Sequence, residues 1–77
     1  MIEVRFPVLN ESEPDAEGVL ATWFVGDGEE VGEGQLLCEV QVEKSSEDVH
    51  SEGAGTIRLA VSEGEVVRQG EVIARIE

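Results

Sequence analysis

Apolar and polar residues alternate along most of this chain, and no stretch shows the spacing of an amphipathic helix. Ile2, Val4 and Phe6 fall on one side of an extended segment while Glu3 and Arg5 fall on the other, because strand side chains point alternately to opposite faces. Leu36, Cys38, Val40 and Val42 alternate in the same way with Glu39, Gln41 and Glu43. Ile57, Leu59 and Val61 alternate with Arg58 and Ala60. Each run predicts a strand with one buried and one wet face. Val19 to Val25 is apolar apart from Thr22, and its short length and its Val, Thr, Trp and Phe content predict a strand there too. Gly26, Gly28, Gly32 and Gly34, and then Gly53, Gly55, Gly64 and Gly70, divide the chain into short strands joined by tight turns. Asn10 to Glu17 is polar and acidic and contains Pro14, so it is expected to be an exposed loop joining the first two strands.

The chain repeats itself. Gly28-Glu29-Glu30-Val31-Gly32-Glu33-Gly34-Gln35-Leu36-Leu37 recurs as Gly64-Glu65-Val66-Val67-Arg68-Gln69-Gly70-Glu71-Val72-Ile73, displaced by 36 positions (64 minus 28). Cys38 and Val40 then correspond to Ala74 and Ile76. Upstream the match runs from Gly18 to Gly55, with the second copy one residue shorter, so a turn or bulge differs between the copies. Neither small β unit can bury its apolar face alone, and packing the two together solves the problem for both. The fold class expected is all-β: a flattened barrel or sandwich of two small sheets with approximate twofold symmetry, in a single domain spanning 1–77.

Lys44 is the only lysine, and the other basic residues, Arg5, Arg58, Arg68 and Arg75, carry guanidinium groups that stay protonated and make poor nucleophiles. One side-chain amine is therefore available for acylation. It lies in Glu43-Lys44-Ser45-Ser46-Glu47, a polar stretch between two alternating segments that is expected to form a hairpin tip. One cysteine, Cys38, excludes an internal disulfide, and one histidine, His50, leaves too few soft ligands for an ordinary structural zinc site. Eighteen acidic against five basic residues give a formal charge of −13, which disfavours phosphate backbones and anionic membranes as partners and favours a soluble monomer. No apolar run is long enough to span a bilayer and the N-terminus lacks signal-peptide character, so the expected setting is the cytoplasm, or the mitochondrial matrix in a eukaryote.

Across its whole length the chain resembles the lipoyl domains of the acyltransferase (E2) components of 2-oxo acid dehydrogenase complexes, with biotinyl carrier domains as close relatives. The resemblance is carried by Pro7, Glu17-Gly18, Trp23, the Gly28, Val31 and Gly34 framework, Leu36-Leu37-Cys38-Glu39-Val40 leading to the lysine, and Asp48-Val49, Ser51 and Gly55 after it. It implies that Lys44 is joined through its ε-amine to lipoate. It also implies a non-catalytic carrier that is modified by a lipoate-protein ligase or lipoyl transferase. Such a carrier takes acyl groups from a thiamine-diphosphate-dependent decarboxylase (E1), gives them to the acyltransferase core, and is reoxidised by dihydrolipoamide dehydrogenase (E3). Biotinyl domains typically flank the lysine with methionines, whereas Glu43 and Ser45 keep the acid and the small residue favoured by lipoyl domains and are the expected ligase contacts. Gln41, Val42 and Glu52 depart from the family's usual glutamate, threonine and proline. A biotin carrier and an unmodified scaffold are the alternatives.

Trp23 is expected at the core or its edge, with a partner contact as the alternative. Cys38 falls on an apolar face and is expected to be a buried, unreactive thiol. His50 and Ser51, adjacent on one strand, point to opposite faces, which argues against nucleophilic catalysis. For the Asn10 to Glu17 loop the resemblance implies a place near the lysine and a part in decarboxylase recognition, while a plain solvated linker remains the other reading.

Overall fold

The alternating segments become strands. The computed structural model describes all 77 residues and contains β1 (Ile2–Arg5), β2 (Glu17–Trp23), β3 (Glu30–Val31), β4 (Leu36–Val42), β5 (Ser45–His50), β6 (Gly55–Leu59), β7 (Val66–Arg68) and β8 (Val72–Ile76). They form two four-stranded sheets, ordered β1-β8-β6-β3 and β5-β4-β2-β7, with every pairing antiparallel. Exchanging β1 with β5, β2 with β6, β3 with β7 and β4 with β8 maps one sheet onto the other, which is the symmetry expected from the repeat. Phe6, Leu20, Leu37, Val40, Ile57, Ile73 and Ile76 are fully buried between the sheets. Each contributes roughly 1.5–3 kcal/mol of transfer free energy relative to an exposed side chain.

The two copies interlock rather than merely touch. The Gly28 N–H donates to Ile57 O at 2.7 Å and the Gly64 N–H donates to Leu20 O at 2.7 Å, so the turn of each copy is tied to a strand of the other. Side chains repeat the exchange: Asp27 Oδ1 accepts from Leu59 N at 2.8 Å, and Glu63 Oε1 accepts from Trp23 N at 2.9 Å. Gly28 and Gly64 turn these corners at φ of 85° and 88°, a region that costs a residue with a Cβ but not glycine.

Bulges mark where the alternation changes phase. The β2–β4 register slips between Leu20 and Thr22, leaving Ala21 as the surplus residue, whereas β6–β8 runs without a slip. This is the one-residue difference between the copies. A symmetric pair of further slips was not visible in the sequence. Between Leu36 and Cys38 the partner advances by one residue, and between Val72 and Ala74 the pattern recurs, so Leu37 and Ile73 are inserted. The expectation that Leu36 lines the core with Cys38 is therefore corrected. Leu36 is half-buried, while Leu37 and Cys38 are both fully buried because the bulge turns consecutive side chains inward. The strand expected over Val19 to Val25 ends at Trp23, with Phe24 exposed and Val25 buried just beyond it. The run ending at Val61 pairs only as far as Leu59.

The molecule is 34 Å long, and its two ends differ. At one end β4 turns into β5, and Gly18 lies against Phe6, the Gln41 carbonyl and Val42 so closely that a Cβ there would overlap all three. At the other end His50, which closes β5, lines a small cleft with Ile2 and Glu3, and Glu77 O accepts from Thr56 N at 3.0 Å. Lys44 thus lies at the end remote from both Met1 and Glu77.

Candidate functional site

The hairpin that carries Lys44 is tighter than the sequence suggested. Val42 and Ser45 are the last Cα partners of β4 and β5, so Glu43 and Lys44 alone form the loop, and Ser45, Ser46 and Glu47 belong to a strand. The expected five-residue tip is corrected on this point. Its polarity reflects the position of β5 at a sheet edge, where Ser45 to Asp48 are all exposed. Glu43 has a φ of 55°, the one positive value at a residue other than glycine, as a two-residue hairpin with right-handed strand twist requires at its first central position. That conformation costs roughly 1 kcal/mol for a residue with a Cβ. Val42, at 3% exposure, plugs the core directly beneath the turn. The Lys44 backbone is thereby fixed while its side chain is exposed, and the domain's two ion pairs, Arg5–Glu3 and Arg58–Glu77, leave its ammonium unpaired.

Such a lysine suits covalent loading. Its four-carbon stem extends into solvent, and its amine becomes a nucleophile once deprotonated by an enzyme that reaches it. A prosthetic acid joined there needs no cavity in this domain, and Glu43 and Ser45 flank the lysine in the chain.

The Asn10 to Glu17 segment lies at the same end, although it is far from an unstructured connection. Gln69, 7% exposed, inserts its side-chain amide into the preceding turn of chain. Its Oε1 accepts from Leu9 N and Asn10 N, both at 2.7 Å, and its Nε2 donates to Asn10 O at 3.2 Å and to Glu13 O at 3.0 Å. Within the loop, Asn10 Oδ1 accepts from Ser12 N at 3.2 Å. Sequence reasoning missed Gln69. Its counterpart in the first copy, Glu33, is exposed, but the copies also differ at Glu30/Val66, Gly32/Arg68 and Gln35/Glu71, so the repeat did not single it out.

The remaining candidates are structural. Trp23 packs at the edge of the core, and its Nε1 donates to Val61 O at 3.1 Å. Cys38 is fully buried, and loss of solvent, followed by the charge of Asp48, pushes its thiol up to about 12, which leaves no thiolate at neutral pH. His50 is exposed, whereas Ser51 is buried and its hydroxyl donates to Gly53 O, so the two do not form a catalytic pair.

Comparison with known proteins agrees with this geometry. The family model described as "Biotin-requiring enzyme" matches residues 2–76. The chain is 37% identical over 74 residues to the mitochondrial lipoamide acyltransferase component of the branched-chain alpha-keto acid dehydrogenase complex of Arabidopsis thaliana, covering 95% of this chain and 15% of that protein. It is 37% identical over 75 residues to the dihydrolipoyllysine-residue succinyltransferase component of the 2-oxoglutarate dehydrogenase complex of Staphylococcus saprophyticus, covering 96% and 17%. It is also 37% identical over 76 residues to the dihydrolipoyllysine-residue acetyltransferase component of the pyruvate dehydrogenase complex of Staphylococcus aureus, covering 97% and 17%. The chain therefore spans about one sixth of these relatives, and it is equally identical to proteins named for three different complexes. Among solved structures, the lipoyl domain of the 2-oxoglutarate dehydrogenase complex from Azotobacter vinelandii superposes with a TM-score of 0.81 at 29% identity, covering 100% of this chain and 96% of that one. With its two symmetry-related sheets and a lysine at the hairpin between β4 and β5, the chain belongs to the biotinyl/lipoyl domain family.

Proposed function

We propose that this domain is a swinging-arm acyl carrier in which Lys44 Nζ is joined by an amide bond to lipoate, and that it serves a 2-oxo acid dehydrogenase complex. The observation that carries the reading is the placement of the chain's single lysine on a two-residue turn, unpaired, at the end remote from the termini. A carrier has to enter several active sites in succession, which favours a flexible stem on a rigid base over a residue held in a pocket. Val42 anchors the base, Glu43 supplies the bend and Lys44 supplies the stem. When bound, lipoate supplies a dithiolane that takes up an acyl group together with two reducing equivalents. Loading removes the ammonium charge, so the formal charge passes from −13 to −14 by loss of one positive charge. The end presented to partners becomes more acidic, which favours basic surfaces around the active sites it visits.

Lipoate is favoured over biotin by the flanking residues, since Glu43 and Ser45 stand where methionines would stand in a biotinyl domain. The partners of this reading are a lipoate-protein ligase or lipoyl transferase, a thiamine-diphosphate-dependent decarboxylase, an acyltransferase core and dihydrolipoamide dehydrogenase. Its setting is the bacterial cytoplasm or the mitochondrial matrix. The domain contributes no catalytic group of its own. The test is transfer of label from a carbon-labelled 2-oxo acid to the lipoylated domain by pyruvate, 2-oxoglutarate and branched-chain 2-oxo acid decarboxylases, each with its own substrate. Label retained on the domain by at least one of them, and absent from Lys44→Arg, supports the carrier; label retained by none contradicts it.

A further inference from the structure

We infer that Gln69 is a positioning residue for partner recognition: it holds the Leu9 to Glu13 backbone in the shape that an enzyme approaching Lys44 meets. The inference rests on the carrier reading above. Four hydrogen bonds leave one buried side chain, and all four end on loop backbone about sixty positions away in sequence. That use saturates the amide, with the carbonyl accepting two N–H groups and both donor hydrogens taken up by carbonyls. A carboxylate would keep the accepting half and lose the donating half, and an apolar residue would leave the Leu9 and Asn10 N–H groups without partners.

The loop is coupled to the hairpin through packing. Phe6, where the chain leaves β1 for the loop, and Val42, at the base of the Lys44 turn, both lie against Gly18 at the start of β2. Arg68, immediately before Gln69, is the Cα partner of Glu17. Loop, hairpin base and the Gln69 corner therefore form one end of the molecule, and a partner that takes the Lys44 side chain into an active site meets them together. The symmetry-related corner provides the contrast. Glu33 makes no such contacts and is exposed, and no loop packs over it. The two copies differ at this position, and only the side chain of the second copy reaches a loop.

The experiment compares wild type with Gln69→Leu and Gln69→Glu, all lipoylated on Lys44, by two readouts. Amide exchange at Leu9 and Asn10, with Cys38 and Ile57 as fold controls, reports whether the loop is held. Steady-state reductive acylation by the decarboxylase that acylates the wild type reports recognition. In Gln69→Leu the two loop amides are expected to exchange about tenfold faster or more, beyond the common acceleration that lower global stability gives the core amides, and KM for the domain to rise about tenfold with kcat nearly constant. Gln69→Glu, which keeps the accepting half, should fall between. Unchanged exchange at Leu9 and Asn10 would overturn the positioning role. Faster exchange with unchanged KM would overturn the recognition role, because a merely structural residue would give that result. A fall in kcat alone would overturn it equally. If no decarboxylase acylates the wild type, the carrier reading fails and the recognition role fails with it, while the exchange arm still decides whether Gln69 holds the loop.

Discussion

The two ends of this sandwich are made from the same repeated unit and have diverged in what they expose. At one end the β4–β5 connection is closed by Glu43 and Lys44; at the symmetry-related end the corresponding strands, β8 and β1, are not joined to each other, and the chain termini lie there. At one corner Gln69 is buried under a loop; at its mate Glu33 faces water. The shared features, namely the interlocked turns, the Leu37 and Ile73 bulges and the reciprocal Asp27 and Glu63 contacts, hold the fold together. Of the features that are not shared, the Ala21 bulge lies mid-sheet, while the closed hairpin and the Gln69 contacts lie at the lysine end.

That comparison can be broken most forcefully at Gly18. A Cβ there would overlap Phe6, the Gln41 carbonyl and Val42, so Gly18→Val is expected to destabilise the domain by about 3 kcal/mol or more, read as a lowered midpoint in chemical denaturation. Next come the symmetry mates. Leu37→Ala and Ile73→Ala each remove a fully buried side chain at equivalent bulges and should cost roughly 2–5 kcal/mol apiece. Similar losses would confirm that the two halves carry equal loads, and a large inequality would show that one copy dominates the core. The corner pair sharpens the contrast between ends. Gln69→Leu should cost about 1–3 kcal/mol through its unpaired loop N–H groups, while Glu33→Leu should stay within about 0.5 kcal/mol.

An effect that is absent at neutral pH concerns Cys38. Its thiol is raised in the folded state from 9.0 to about 12, so the unfolded chain releases this proton first as the pH rises. Its contribution to stability is complete below pH 9 and declines between pH 9 and 12. A denaturation series with Cys38→Ala as reference should show that extra decline in the wild type alone. At neutral pH a thiol reagent should react only after unfolding.

Much of this was legible in the sequence, and the reasons for the exceptions are physical. Alternation gave β1, β4 and β6, and the one-residue mismatch between the copies anticipated the bulge at Ala21. The inserted Leu37 was hidden because an extra apolar residue in an apolar run leaves no local mark, and only cross-strand register reveals it. Ser45 to Glu47 looked like turn because an edge strand with no core beneath it has no apolar face to display. At the site, a lone lysine between two strands was readable as an exposed tip. Gln69 was not, since its partners lie about sixty residues away and long-range hydrogen bonding has no periodicity.

The most direct test of the carrier account is the intact mass of the purified domain after incubation with ATP, lipoate and lipoate ligase, and separately with ATP, biotin and biotin ligase, alongside Lys44→Arg. The account predicts a single lipoyl-sized gain with the first enzyme that Lys44→Arg lacks. A gain only with biotin, no gain with either enzyme, or a gain that persists in Lys44→Arg would contradict it.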